Sequence, residues 1–249
     1  VLSGGGIEYV RQRGADPAKV THIFNSVSLS DFDGLVQRRN FKEREGIEDK
    51  FLISYAGILS PYQGIDNILD TAKALQDHDD IIFYIAGDGS ERQHLKERIQ
   101  QEGIGNVNLL PFLPRAEYFN LVNSSDVSFV SLDERMRVPC LPGKTINLMA
   151  CGQPIIAMVA LESETARVIG EAGCGIVVQP GDGEGICSSI LRLKEDASLR
   201  EAMGSNGRRY LERHMSLEKN VALYEEIFCT LAGDGVLARR AVSSRSEDA

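Results

Sequence analysis

Short apolar runs alternate with longer segments of helical period along most of this chain, and this alternation restricts its fold more than any other feature. The β-rich runs are continuously apolar, as expected for strands buried on both faces of a parallel sheet. They lie at residues 51–57, 80–87, 106–110, 126–132, 154–159 and 174–178. Strand, helix and strand joined by short loops predict the α/β class, with a doubly wound, Rossmann-like parallel sheet and right-handed crossovers.

The segments between the runs place apolar residues at helical spacing. Helices are expected at residues 65–75, 95–101, 118–123, 146–150 and 165–171. Three more carboxyl-terminal helices follow the last strand, at residues 186–194, 199–213 and 217–231. Before the first strand, residues 4–14 are typical of a helix, residues 20–24 of a single strand, and residues 25–49 of a polar, irregular linker.

Charge and cysteine usage exclude several classes of protein. The 249 residues carry 27 Lys and Arg against 36 Asp and Glu, a net charge of −9. This balance argues against a nucleic-acid module, because such modules neutralise phosphates with clustered cations. A small phosphorylated ligand needs only a local site and stays possible. Five widely spaced cysteines without a C-x-x-C pair predict reduced thiols in the cytoplasm and no metal site.

The longest loop at the predicted carboxyl edge of the sheet is the most informative, since ligands of doubly wound sheets bind at that edge. It contains Arg135 and Arg137 and ends in Pro142, Gly143 and Lys144 at the start of a helix. Gly143 bares backbone N–H groups at the positive helix end, and Lys144 adds a full charge, which together suit a phosphate. A common first-turn proline and a surface lysine are the structural alternative, but a long loop inside a compact domain favours function.

The glycine-containing loops carry weaker signals. Gly57 and Gly64 flank the first loop and permit close backbone approach, although a tight strand-to-helix turn explains them slightly better. Gly87 and Gly89 after the second strand are typical of a sharp turn, and no G-x-G-x-x-G fingerprint is present. In the loop before the helix at 165–171, helix capping is a sufficient explanation of the polar residues.

Six stretches of the chain, in order, carry a resemblance to a known family. They are residues 22–32, 55–75, 85–95, 107–132, 142–157 and 171–182. Together they resemble the carboxyl-terminal, donor-binding half of GT-B retaining glycosyltransferases of the large group 1, or family 4, type. Within that type the likeness is closest to bacterial polysaccharide N-acetylsugar transferases. The resemblance implies transfer of a sugar from a nucleotide-sugar, UDP-linked, to a polysaccharide or glycolipid acceptor, with no cofactor and no metal.

The resemblance also implies a division of the chain. Residues 1–24 would end an amino-terminal acceptor domain, residues 25–49 form the interdomain linker and residues 50–215 the nucleotide-sugar-binding domain. Residues 216–232 would be a helix crossing back onto the amino-terminal domain. Residues 233–249, rich in Arg, Ser, Gly and Ala, are expected to be a disordered tail. The chain would then be an inactive fragment of a cytoplasmic protein, partnered by its own amino-terminal domain and a saccharide or lipid-linked acceptor. A peripheral contact with the inner face of the membrane stays open.

Roles for single residues follow from the same resemblance. Donor binding is implied for Gly57, Gln63, Gly64, Gly87, Gly89, Leu113, Pro142, Gly143, Lys144, Thr145 and Asn147. Stabilisation of charge on the leaving diphosphate is implied for Lys144, Arg135 and Arg137, and the catalytic residue is expected in the amino-terminal domain.

Four positions depart from the family pattern. Many members carry Arg and Lys where this chain has Ile58 and Gln63. They also carry a Glu-x7-Glu pair, the second of which binds the ribose, where this chain has Pro139 and Asn147. Gln63 followed by glycine resembles the N-acetylsugar subset, which usually keeps the Glu. Two alternatives therefore stay open: a degenerate, non-catalytic GT-B partner subunit, and a UDP-sugar 2-epimerase, which would need a catalytic histidine that these loops do not offer.

Overall fold

A six-stranded, wholly parallel sheet forms the centre of the computed structural model, which describes residues 1–34, 39–136 and 139–232. The strands are β1 (Phe51–Ala56), β2 (Ile81–Ala86), β3 (Val107–Leu110), β4 (Val127–Ser131), β5 (Ile155–Met158) and β6 (Gly175–Val178). They are arranged in the order β3-β2-β1-β4-β5-β6. All six strands predicted from residue 51 onward are confirmed, and so is the doubly wound α/β fold.

Helices flank both faces of this sheet. They are α1 (Gly4–Arg11), α2 (Leu29–Asp33), α3 (Phe41–Glu45), α4 (Asp66–Ala74), α5 (Arg92–Glu102), α6 (Arg115–Ser124), α7 (Gly143–Ala150), α8 (Glu164–Ala172), α9 (Gly183–Glu195), α10 (Ala197–His214) and α11 (Leu217–Ala232). Single 3-10 turns occur at Pro17–Lys19 and Pro61–Gln63. Every helix predicted from the apolar spacing is present, with ends that differ by a few residues.

The sheet is buried on both faces, which explains why its strands are continuously apolar. All five residues of β4 are buried, as are five of the six residues of β1. On one face, Phe83 and Phe129 stack with ring centroids 6.4 Å apart, beneath helices α4, α5 and α9. The other face packs against α6, α7, α8 and α10. This two-sided core fixes the carboxyl edge from which the site loops extend.

The strand predicted at residues 20–24 is wrong. The segment is extended, but it pairs with a single residue: Ile23 donates to the Val1 carbonyl at 2.9 Å, and the Val1 amino group donates to the Thr21 carbonyl at 2.8 Å. Beyond it, Val27 forms an isolated parallel bridge with Ser216. A strand needs a partner along its length to satisfy its backbone groups, and the described residues supply none here.

The prediction that residues 25–49 are irregular is also wrong in part, because α2 and α3 lie within this range. Two apolar side chains anchor these short helices to the sheet domain. Phe32 packs edge-on against Phe119 at 5.1 Å, and Phe41 against Tyr84 at 5.0 Å. Both are buried, so hydrophobic docking orders a segment that looked polar. Its role as an interdomain linker stays a prediction.

The carboxyl-terminal helix α11 carries a stripe of exposed apolar side chains. They recur every three or four residues, at Leu217, Val221, Tyr224, Phe228 and Leu231. The assignment of α11 as a crossover helix stays a prediction, and the tail predicted at 233–249 lies outside the described residues.

Within the part of the chain that the structure describes, no helix is both long enough and apolar enough to cross a membrane.

A buried carboxylate attaches the amino-terminal segment to the sheet domain. Glu164, only 6% exposed, accepts the N–H groups of Gly4 at 2.8 Å and Gly5 at 3.3 Å, at the positive end of α1. Arg167 donates to the same carboxylate at 2.6 Å, and these hydrogen bonds hold the pKa of Glu164 below its usual value despite its burial. Ser3 adds a bond to the Pro139 carbonyl at 2.7 Å.

We expect Glu164→Gln to release α1 from this attachment. The amide keeps one acceptor oxygen but loses the negative charge that stabilises both Arg167 and the positive end of α1. The free energy of unfolding should therefore fall by about 1–3 kcal/mol. Hydrogen exchange at the amides of α1 is the direct measurement, and it should accelerate while exchange in β1 is unchanged. Glu171→Gln removes the other, half-exposed partner of Arg167 and serves as the control. Equal protection of α1 in both variants would contradict the attachment.

Candidate functional site at the carboxyl ends of β1 and β4

The candidate site lies where the strand order of the sheet reverses. Strands β1 and β4 are neighbours, paired through Ile53 with Val127 and Ser54 with Ser128. Their crossovers therefore leave toward opposite sides and open a crevice at the carboxyl edge, the position at which doubly wound sheets bind ligands. The two loops that border it are joined where Asp133 donates its N–H to the Tyr62 carbonyl at 2.9 Å.

The centre of the site is the ammonium group of Lys144, on the first turn of α7. Its Nζ donates to the Gln63 Oε1 at 2.5 Å and to the Tyr55 hydroxyl oxygen at 2.8 Å. Nζ also lies 4.2 Å from the centre of the Tyr55 ring, within cation–π range. The Tyr55 hydroxyl can in turn donate to the Ile58 carbonyl at 3.0 Å or to the Gln63 Oε1 at 3.1 Å. Residues from β1, from the loop after it and from α7 thus meet at one atom.

This lysine carries a charge that its surroundings do not neutralise. The residue as a whole is half-buried, but its ammonium end lies inside, and this burial lowers the pKa of Lys144 to about 7. Burial likewise raises the pKa of the Tyr55 hydroxyl, which keeps it protonated. In the described ranges, no carboxylate lies within ion-pair distance of Nζ. A desolvated cation whose partners are neutral attracts an anion strongly.

The start of α7 adds backbone donors beside this cation. Gly143 is exposed, and the preceding Pro142 offers no side-chain cap. The N–H groups of Gly143 and Lys144 precede the helix's own hydrogen bonds, and no described residue accepts from them. The Thr145 side chain is fully buried and its hydroxyl has no partner among the described residues, and its role in donor binding stays a prediction.

The glycines of the neighbouring loops are explained by contact between the loops themselves. A Cβ at Gly87 would lie 1.9 Å from the Gly57 carbonyl oxygen, and one at Gly89 would lie 2.2 Å from the Leu59 carbonyl oxygen. A Cβ at Gly57 would meet the Lys144 Nζ at 3.1 Å. Gly64 has a φ of +55°, in the left-handed region. The turn interpretation is therefore sufficient for these residues, and their donor-binding roles stay predictions.

A second part of the site begins one helical turn beyond Lys144. Asn147 is half-buried and its side chain hydrogen-bonds the Tyr118 hydroxyl. Both residues line a cavity of about 400 Å³. Its other walls come from Val27, Ser28, Phe32, Arg115 and Phe119. Leu113 is half-buried and packs against the cluster under β1 and β2, and its donor-binding role stays a prediction.

Of the two arginines predicted to stabilise charge, the structure describes Arg135, which is paired within its own loop. The Arg135 guanidinium binds the Asp133 carboxylate at 2.5 and 3.1 Å, and this ion pair lowers the pKa of Asp133. The Arg135 side chain is 69% exposed. Arg137 lies outside the described residues. Any role of these two residues in charge stabilisation stays a prediction.

Three residues that make contacts at this edge of the sheet were not predicted from the sequence. Tyr55 looks like a core aromatic because it sits inside an apolar run. Arg92 donates to the carbonyls of Gly87 at 2.8 Å and Leu110 at 2.6 Å and so joins the loops after β2 and β3. Glu164 is one of the polar residues for which helix capping is a sufficient explanation in the sequence, whereas in the structure it binds the start of α1. The position of Arg92, three residues after Gly89 at the start of α5, is the one signal that could have been noticed.

A possible cation site lies elsewhere, on the surface between α4 and α5. Carboxylate and imidazole atoms of Asp66, Glu91 and His94 come within 4.8 Å of one another. Arg98 already donates to the Asp66 carboxylate at 2.8 Å, which offsets the negative charge that a cation would need. The expectation of no metal stays a prediction.

The sheet order and the helices on both faces define a Rossmann-like α/β domain of the kind found in GT-B glycosyltransferases. The model of the family "Glycosyl transferases group 1" matches residues 37–210. The chain belongs to this family.

Relatives and solved structures agree with this assignment. The chain is 29% identical to the probable glycosyltransferase WbjE of Pseudomonas aeruginosa over 178 residues, which cover 70% of this chain and 44% of that protein. It is 26% identical to the alpha-D-kanosaminyltransferase of Streptomyces kanamyceticus, over 83% of this chain and 53% of that protein. Anabaena HepE, solved in complex with UDP, has a TM-score of 0.76 at 18% identity, over 93% of this chain and 62% of that one. The chain spans about half the length of the curated relatives it matches.

Proposed function

We propose that this chain is the donor-binding half of a glycosyltransferase that uses a nucleotide-sugar. The buried ammonium of Lys144, held by the neutral oxygens of Tyr55 and Gln63, is the observation that carries the proposal. The diphosphate of the donor would supply the missing negative charge and accept the free N–H groups at the start of α7. The same donors would stabilise the charge that develops on the leaving diphosphate, with no metal required.

The rest of the nucleotide would extend along α7. The cavity beside Asn147 and Tyr118 has room for a nucleoside, and the Asn147 amide can both donate to and accept from a ribose hydroxyl. UDP is the preferred nucleotide because it is bound in the structurally similar HepE. A hexose or N-acetylhexose donor, a retaining reaction, a polysaccharide or glycolipid acceptor and a cytoplasmic location complete the proposal.

Calorimetry with UDP, GDP, ADP and CDP in the presence of EDTA tests this function. We expect the chain to bind UDP selectively and Lys144→Ala to weaken binding about tenfold to a hundredfold, as for loss of a charge-assisted hydrogen bond. Lys73→Ala, which breaks only a surface ion pair with Glu102, is the matched control. Equal UDP affinity of Lys144→Ala and the unaltered chain would remove Lys144 from the site, and a strict Mg²⁺ requirement would contradict the metal-free account.

A non-catalytic partner subunit of the same fold is the second candidate. It is favoured by the neutral Asn147 beside the nucleoside cavity and by the engagement of Arg135 with Asp133. Tighter UDP binding by Asn147→Glu would indicate a lost ribose ligand and support this candidate, whereas tight binding by the unaltered chain would support a working donor site. A 2-epimerase is less well supported, since the described residues around Lys144 include no histidine.

A further inference from the structure

We propose that Tyr55 is a positioning residue that holds the Lys144 ammonium at the mouth of the site and keeps it protonated. This inference rests on the proposed function for its consequence, anion binding, but not for the interaction itself. Tyr55 is 1% exposed and lies in β1, a rigid central strand. Its hydroxyl is therefore a fixed point against which the flexible lysine side chain is set.

The contacts of the hydroxyl show how it acts. It accepts from Nζ at 2.8 Å and has its own proton free for the Ile58 carbonyl at 3.0 Å or the Gln63 Oε1 at 3.1 Å. Its ring lies beneath the same ammonium. One side chain thus links the lysine to the loop that follows β1. Gly57 leaves the space above the Tyr55 hydroxyl open, since a Cβ at this position would lie 3.4 Å from the hydroxyl oxygen.

The direction of the effect on protonation follows from hydrogen-bond strengths. The hydroxyl can accept from the ammonium form and can donate to the neutral amine. A bond from a charged donor is roughly twice as strong as a neutral one, so Tyr55 favours the charged form. Burial favours the neutral amine of Lys144, and hydrogen-bond acceptors on Nζ favour the ammonium. Removing the hydroxyl takes away one of these acceptors, so the pKa of Lys144 should fall by about one unit.

Few other groups among the described residues lie where they can influence the protonation of Lys144. Gln63, from the loop after β1, is neutral, and Tyr118, from α6, lines with Lys144 a small cavity behind the site. Burial raises the pKa of Tyr118, so it is neutral as well. The Asp133 carboxylate, in the loop after β4, is paired with Arg135. Among the described residues, the hydroxyl of Tyr55 and the amide of Gln63 are the acceptors that hold the ammonium.

The first experiment measures Lys144 itself, without any ligand. NMR titration of the chain with ¹³C-labelled lysine should give a Lys144 pKa about one unit lower in Tyr55→Phe than in the unaltered protein. Tyr55→Phe keeps the ring and its cation–π contact and removes only the hydroxyl. Tyr84→Phe alters the neighbouring strand, at a buried tyrosine whose hydroxyl faces Glu45, and should leave Lys144 unchanged. An unaltered Lys144 pKa in Tyr55→Phe would overturn the inference.

The second experiment links the interaction to binding. UDP-glucose is the probe, because its diphosphate does not titrate near neutral pH. Tyr55→Phe should weaken its binding about tenfold at pH 8 and far less at pH 6, and should have no further effect in the Lys144→Ala background. A loss of equal size at both pH values would mean a merely structural role and reject the inference. If the unaltered chain binds no nucleotide, the proposed function fails, while the NMR titration still decides the role of Tyr55.

The same titration covers the possibility that Tyr55→Phe does not fold. Gln63→Leu, in a half-exposed loop position, removes the other acceptor and leaves Tyr55 as the only neutral oxygen on the ammonium. In Gln63→Leu, the ¹³Cζ signal of a labelled Tyr55 should shift as Lys144 titrates, because its hydroxyl is then the remaining acceptor of the ammonium. A Tyr55 signal that does not follow the Lys144 titration would show that the hydroxyl does not hold the ammonium.

Discussion

Lys144→Met should make the protein more stable and at the same time weaken its nucleotide binding as much as Lys144→Ala does. Burial lowers the pKa of Lys144 from its ordinary value of 10.5 to about 7, so the folded state holds the charged form at a cost that the unfolded chain does not have. A pKa lowered by this much corresponds to a loss of about 2–4 kcal/mol in the free energy of unfolding when the pH is below neutral. The lower figure allows for the solvent around the half-buried Lys144 side chain. Methionine fills the same volume without the charge.

The sign of the pH dependence makes this prediction specific. The pKa is lower in the folded than in the unfolded protein, so the penalty is complete below about pH 7, shrinks as pH rises toward 10.5, and is absent above it. Urea denaturation at pH 6 and pH 9.5 should therefore show a large gain for Lys144→Met at the lower pH and a small one at the higher. Lys73→Met, at an exposed ion pair, should show no such trend. A destabilised Lys144→Met at pH 6 would mean that the ammonium is not desolvated.

Gly87→Ala should destabilise the protein by at least about 3 kcal/mol, far more than a typical surface substitution. The added Cβ would lie 1.9 Å from the carbonyl oxygen of Gly57, which is backbone and cannot rotate away. The loops after β1 and β2 must then separate, and Gly57 also borders the Lys144 ammonium. We therefore expect UDP affinity to fall together with stability, although the methyl group touches no ligand.

Gly105→Ala is the matched control for this substitution. Gly105 also lies in a loop at the sheet, but its added Cβ would meet no atom within 4 Å. Calorimetric melting of both variants is the measurement. Near-equal melting temperatures for Gly87→Ala and the unaltered chain would show that the two loops do not approach as closely as described.

The secondary structure was predictable because it depends on local pattern. Continuous apolar runs and helical stripes correctly located all six strands and the helices after residue 51. The predictions that failed concern segments whose structure depends on tertiary contacts. Residues 20–24 are β-prone but have no partner strand in the part of the chain that the structure describes. Phe32 and Phe41, in contrast, order a polar segment by docking on Phe119 and Tyr84, which lie far along the chain. Neither outcome is encoded in local spacing.

The candidate site shows the same division. The combination of Pro142, Gly143 and Lys144 at a helix start could be predicted from residue types, since helix N-termini and lysines attract anions. The partner of the lysine could not be predicted, because Tyr55 lies 89 positions earlier in a run typical of a buried strand. The glycines were ambiguous in sequence, and the structure accounts for Gly87 and Gly89 by contact between two loops.

The sequence by itself determined the fold class and the positive end of α7, because periodicity and helix polarity are local properties of the chain. Tertiary structure alone decided the sheet order that sets β1 beside β4. That neighbourhood brings the hydroxyl of Tyr55 and the amide of Gln63 to the ammonium of Lys144 and excludes solvent from its far side. The lowered pKa of Lys144 depends on this desolvation, which arises only when distant segments pack together.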